Sequence, residues 1–274
     1  MGRPRCVNRI DERFGKLAAE GKAAFIPFVT AGDPDLGTTE RIILAIEKQG
    51  ADVIELGFPF SDPVADGPVI QASYTRALSK GQRTEDIFRM VESVRRASQI
   101  PIVAMISYSL VFRTGFDGFL ERACRAGMDG ATIPDLPVEE MGGPQKAARE
   151  RGFHLVCFVT PATTARRLSM IVPMAGGFIY YVSVRGITGV RDSLPPDLAQ
   201  NIGRLKALTR VPVAVGFGIS KPEHARAVAQ VADGVIVGSA LVKCVRTAVE
   251  RGADPVHEVA ELAGRMARAA KREE

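Results

Sequence analysis

The run Asp52-Val53-Ile54-Glu55-Leu56-Gly57 is short, largely apolar on both faces and closed by glycine. A strand apolar on both faces is covered on both sides, which marks a parallel sheet sheathed in helices. Runs of the same kind recur at residues 24–29, 102–106, 130–133, 154–159, 178–182, 213–216 and 234–237. Helix-period segments lie between them. Residues 38–50 align Ile42, Ile43 and Ile46, and residues 84–98 align Ile87, Met90, Val91 and Val94. Residues 116–127, 221–232 and 255–270 repeat the pattern, the second opening with Ser220 and Glu223 in capping-box spacing. Eight strand runs in 274 residues predict a closed (βα)8 barrel, the TIM barrel, as one domain over residues 1–274. An open doubly wound sheet is the alternative.

Two intervals are longer than the rest. Residues 58–83 hold a turn-rich stretch and a short helix from Pro68 to Leu78, ended by Gly81. Residues 183–197 form a loop containing Gly and Pro. Both follow strands, on the face where barrel enzymes place their chemistry, so both are candidate lids. The residues before Ala24 predict an additional helix closing the other end. Extra helical segments are expected after the second and eighth strands.

Composition agrees with this architecture. Hydrophobic residues are 46% and charged residues 24% of the chain, which excludes a disordered chain and allows a large core. No apolar run approaches the roughly 20 residues that span a bilayer. The N-terminal residues lead into polar sequence rather than an apolar signal core, so a cytoplasmic protein is expected. Basic residues outnumber acidic ones 36 to 31, but they are spread along the chain. The small basic groups Arg3, Arg5, Arg9 and Arg265, Arg268, Lys271, Arg272 read as solvated faces, not a nucleic-acid surface. Cys6, Cys124, Cys157 and Cys244 form no CxxC pair, which suits a reduced compartment. The three histidines are isolated, and no metal site is expected.

Glu55 is the odd member of its strand. Side chains alternate, so it shares a face with Val53, opposite Ile54 and Leu56. If that face is the barrel lumen, the carboxylate stands at the mouth of the site. Burial there would keep it protonated near neutrality, as general acid–base work requires. The alternative is a surface glutamate at a fraying strand end. Eleven residues on, Asp66 is either a second catalytic carboxylate or a cap for the helix that Pro68 begins. Asp62 reads as a turn residue with Pro63, and Asp135 as a turn or supporting acid.

After the seventh and eighth runs come Gly216-Phe217-Gly218-Ile219-Ser220 and Gly238-Ser239-Ala240. Glycines let backbone N–H groups approach an anion, and helix N-termini aim free N–H groups at it. The loops after strands seven and eight are the recurrent phosphate site of barrel enzymes. Arg185-Gly186-Ile187-Thr188-Gly189 can add a third wall. The residues alone therefore predict acid–base chemistry on a small phosphorylated molecule.

Six stretches carry a closer resemblance: residues 25–34, the run Glu55-Leu56-Gly57-Phe58-Pro59-Phe60-Ser61-Asp62-Pro63-Val64-Ala65-Asp66-Gly67-Pro68, and residues 134–140, 183–189, 216–220 and 238–240. In their order and separation the chain resembles the tryptophan synthase alpha subunit family along nearly its whole length. That resemblance implies cleavage of indole-3-glycerol phosphate to indole and glyceraldehyde 3-phosphate, with no cofactor in this chain. It implies Glu55 as general acid–base and Asp66 as a stabilising anion. It places Phe28 and Tyr180 against the indole ring, with ordinary core packing as the alternative for each. It gives Gly189, Gly218, Gly238 and Ser239 to the phosphate, and Thr188 to a lid that meets Asp66. It implies a beta-subunit partner holding pyridoxal phosphate, in an α2β2 assembly, contacted through the loop with Pro59 and Asp62. Ser109 departs from the family's usual Asn, Arg185 from its usual Thr or Ala, and residues 158–164 from its usual wording. Rival functions are another phosphate-binding barrel enzyme and a non-catalytic activator of a partner enzyme.

Overall fold

A computed structural model describes residues 8–63, 66–183, 197–216 and 218–273. Its order is α1 (Arg9–Ala19), β1 (Ala24–Thr30), α2 (Leu36–Lys48), β2 (Ile54–Gly57), α3 (Pro68–Leu78), α4 (Thr84–Arg95), β3 (Ile102–Met105), α5 (Tyr108–Thr114), α6 (Phe116–Ala126) and β4 (Gly130–Thr132). There follow α7 (Gly142–Glu150), β5 (His154–Val159), α8 (Ala165–Met174), β6 (Ile179–Val182), α9 (Leu198–Leu208), β7 (Val213–Gly216), α10 (Pro222–Ala229), β8 (Gly234–Val237), α11 (Ser239–Glu250) and α12 (Pro255–Lys271). The eight strands are parallel and close on themselves in sequence order, β8 pairing with β1. The (βα)8 barrel expectation is met, and the open sheet is excluded.

The period-two alternation sorts the strands' side chains into two layers. Ala24, Ile26, Val53, Val103, Val156, Phe178, Ala214 and Ile236 fill the lumen. Their neighbours Phe25, Ile54, Leu56, Ile102, Ala104, Ile179, Val213 and Val235 pack outward against the helices. The helix before β1 plugs the lower mouth with Ile10, Phe14 and Leu17, one stripe at helical spacing. Phe14 and Phe178 stand 5.8 Å apart, centroid to centroid. Extra helices follow β2 and β8 as expected. A further one, α5, follows β3.

At the lower end three aspartates brace the strands. Asp52, Asp129 and Asp233 each accept from the N–H of an earlier strand, at Phe25 (2.7 Å), Ile102 (2.8 Å) and Val213 (2.8 Å). Each returns its own N–H to the carbonyl of that same residue. Cations meet all three: Arg13 and Lys271 at Asp52, Arg9 and Arg95 at Asp129, Lys206 at Asp233. Such charge-assisted bonds are the strong kind, and at Asp52 and Asp129 the carboxylate is also buried.

One local expectation fails. Ser220 and Glu223 do not cap α10. The N-cap is Lys221, without a side-chain cap bond, because Pro222 with its fixed φ takes the first helical turn. Ser220 is thus one residue too early.

Candidate active site

Glu55 points into the lumen. It is 1% exposed, on the same face of β2 as Val53. Its Oε1 lies 3.2 Å from Thr132 Oγ1 of β4. Burial pushes its carboxyl from 4.5 up to about 8; the Thr132 hydrogen bond opposes that rise, and the like charge of Asp66 adds a smaller push upward. The surface-glutamate alternative is excluded.

Asp66 does not cap α3. Gly67 is the N-cap and no side chain caps that end. The backbone of Asp66 is held instead by its N–H to Pro63 O (3.2 Å) and by Gln71 Nε2 donating to its carbonyl (2.8 Å). Its half-buried side chain lines a cavity of about 260 Å³ with Phe58, Phe60, Tyr74, Met105 and Asp135. Desolvation raises its carboxyl to about 6. At pH 7 the two acids therefore divide, Glu55 neutral and Asp66 ionised.

Phe28 stands beside Glu55 in register and belongs to a small upper cluster with Ile70, Tyr74 and Val242. A Cβ at Gly57 would meet Phe28 Cζ at 2.4 Å, so only glycine lets that ring lie across the end of β2. Tyr180 presses on β7 in the same way: a Cβ at Gly216 would meet its hydroxyl at 2.5 Å. Its ring packs 5.0 Å from that of Phe158. Burial and both acids push the Tyr180 and Tyr74 phenols well above 10, so both stay neutral.

Across the mouth from Glu55, Gly218 has φ +77° in the loop after β7. Gly238 is the N-cap of the 12-residue helix α11 and has no side-chain cap, and Ser239 is that helix's first residue. A helix start of this kind presents unpaired backbone N–H groups and a partial positive charge. A Cβ at Gly238 would lie 3.6 Å from that of Phe28, so the start of this helix adjoins the Phe28 side chain. Thr188 and Gly189 lie outside the described residues, as does Arg185.

Asp135 accepts from Ser107 Oγ and Tyr108 N, both at 2.7 Å, and so caps α5 from the next loop. That is the supporting role expected of it. Two residues of the site escaped sequence reasoning, Thr132 and Tyr74. Thr132 had a readable signal. It lies three residues after Asp129, as Glu55 lies three after Asp52 and Tyr180 three after Gly177. Alternate strands of a barrel supply one layer of lumen side chains. Glu55, Thr132, Tyr180 and Ile236 form such a layer, with three of its four members polar. Tyr74 had no such signal, because its place depends on how α3 docks. Among the described residues no group of three or more His, Cys, Asp or Glu is arranged to hold a metal.

Known proteins agree with this geometry. A family model described as "Tryptophan synthase alpha chain" matches residues 14–271. A tryptophan synthase alpha chain of Rhodopirellula baltica is 47% identical over 258 residues, covering 92% of this chain and 93% of the relative. One from Thermoanaerobacter pseudethanolicus is 47% identical over 237 residues, 86% of this chain and 90% of the relative. The crystal structure of tryptophan synthase subunit alpha from Legionella pneumophila superposes with a TM-score of 0.91 at 38% identity, covering 97% of this chain and 100% of that one. A chain of the tryptophan synthase a2b2 complex from Pyrococcus furiosus gives 0.83 at 40% identity, covering 90% and 97%.

Proposed function

This chain belongs to the tryptophan synthase alpha-chain family, and from that premise we propose that Glu55 and Asp66 share the work of its reaction. The protein is a lyase that cleaves indole-3-glycerol phosphate, as the alpha subunit of tryptophan synthase. Its partner is the beta subunit.

The bond from the glycerol chain to indole C3 breaks only after C3 becomes tetrahedral. Neutral Glu55 donates its proton to C3, and the ring becomes a cation with its charge centred at the indole nitrogen. Ionised Asp66 faces that N–H and stabilises the charge as it develops. The Glu55 carboxylate then removes the proton of the adjacent glycerol hydroxyl. As the carbonyl forms, the C–C bond breaks and its electron pair returns to the ring. Indole and glyceraldehyde 3-phosphate result, with Glu55 reprotonated.

Phe28 and Tyr180 hold the flat ring between them. The loop of Gly218 and the start of α11 at Gly238 and Ser239 hold the phosphate at the far end. The family resemblance assigns Gly189 to the phosphate as well and Thr188 to a lid over Asp66. The scheme balances without a cofactor in this chain, and pyridoxal phosphate belongs to the beta subunit's half of the synthesis. Among the described residues no helix is long and apolar enough to cross a membrane. The cytoplasm is the compartment we assign, on the scattered cysteines without a CxxC pair.

What carries this assignment is the placing of two carboxyls, Glu55 buried in the lumen and Asp66 lining the cavity at the barrel mouth, with burial raising the first further than the second. The experiment is indole release from indole-3-glycerol phosphate, with and without beta subunit. Indole is expected in both, more with the partner. None in either removes the assignment.

A further inference from the structure

Glu55 must exist in two states in each turnover, first as neutral acid and then as anion. The anion is the harder state to hold, because the carboxyl is buried. Among the described residues the groups acting on it are Asp66 from the loop after β2, Tyr74 of α3, Tyr180 of β6 and Thr132 of β4. Asp66 opposes the anion. Thr132 is the group placed to favour it.

The Thr132 side chain is fully buried and its hydroxyl lies between two oxygens, 3.2 Å from Glu55 Oε1 and 3.4 Å from the Ala104 carbonyl. A hydroxyl carries one proton and two lone pairs. Both neighbours can accept that proton, but only Glu55 gains or loses one. While Glu55 is protonated, the Thr132 proton goes to the Ala104 carbonyl, and a lone pair stays available to the carboxyl. Once Glu55 has given its proton to C3, rotation about the Cβ–Oγ bond aims the Thr132 proton at the new carboxylate. No proton leaves Thr132.

We propose that Thr132 is a positioning residue for Glu55, a hydroxyl rotor that serves the acid in both of its charge states. The proposal rests on Glu55 being the general acid–base. Thr132 makes and breaks no covalent bond in this scheme, and its effect passes through the Glu55 carboxyl alone. Packing does not require a hydroxyl there, because valine has the same shape.

The test compares wild type with Thr132→Val and Thr132→Ser. The Glu55 carboxyl is titrated by NMR in the full chain carrying 13C-carboxyl glutamate, with Glu55→Gln identifying its signal. Turnover is measured on the same samples with beta subunit. A hydrogen bond to a charged group of this length is worth about one pH unit or a little less. The valine variant should titrate about half to one unit higher than wild type. Its turnover at pH 7 should fall about threefold to tenfold with KM unchanged, and serine should restore both. A midpoint that stays put or falls in the valine variant overturns the rotor, as does a serine variant no better than valine. The titration needs no turnover. A wild type that released no indole would therefore sink the lyase assignment, while the three midpoints would still decide for or against the Thr132–Glu55 coupling.

Discussion

Replacing Glu55 with Gln should abolish indole release and at the same time stabilise the fold, increasingly so as pH rises. In the unfolded chain this carboxyl loses its proton near 4.5, while in the barrel it keeps it to about 8. Between those values the native state holds a proton that the unfolded state has released. The unfolding free energy therefore falls with pH, because proton binding favours the native side. Each pH unit is worth 1.36 kcal/mol, so the loss reaches about 3 kcal/mol at pH 7 and about 4 kcal/mol at pH 8, and levels off just below about 5 kcal/mol above pH 9. Glutamine keeps the size and stays neutral at every pH. Its amide needs a new acceptor, and Thr132 Oγ1 at the same place can supply one. An imperfect bond there would cost about 1 kcal/mol. The net expectation is near parity at pH 5, a gain of about 2 kcal/mol at pH 7 and more at pH 9. Urea unfolding of both proteins at the three pH values reads this directly, since other titrating groups cancel in the difference. Parallel stability curves from pH 5 to 9 would refute it, and with it the neutral acid that the chemistry needs.

Two further outcomes follow from the same geometry. The pH profile of kcat/KM should be a bell with its acid limb near 6, where Asp66 gains a proton, and its alkaline limb near 8, where Glu55 loses one. A flat profile across pH 6–8.5 would contradict that pairing. Ser239→Asp puts an anion at the first turn of α11, where the helix itself gains about 0.5 kcal/mol but a phosphate is repelled. KM for the substrate should rise more than about tenfold while the melting temperature holds or rises, and an unchanged KM would place the phosphate elsewhere.

The barrel was legible because its strands are buried on both faces, which leaves short apolar runs that no amphipathic helix resembles. Period-two alternation alone put Glu55 opposite Ile54 and Leu56, and the lumen is where it stands. Asp66 was not decidable at that level. A cap and a catalytic acid share the same spacing before a proline, and only the backbone of Gly67 shows that the cap position lies one residue on. Helix α5 escaped for a related reason. It is seven residues long, and Asp135, one of its N-terminal caps, comes from the loop after β4, 27 residues away from Tyr108. Capping of that kind leaves no trace in a local window.

The two ends of the strands solve different problems with one repeat. Asp52, Asp129 and Asp233 brace the lower end, and three residues later, roughly 10 Å up each strand, stand Glu55, Thr132 and Ile236. Where the layer is apolar, as at Ile236, it only packs. Where it carries a carboxyl and a hydroxyl, it gives up hydrophobic contact and holds a group that is costly to ionise. A protein tolerates such a layer when something else fixes the strands. The aspartates do so through backbone hydrogen bonds and cations that touch no part of the site. The same separation lets Glu55 be destabilising and still be kept in place: the register of β2 against β1 is set at Phe25 and Asp52, below the chemistry, and does not depend on the charge state of the acid above it.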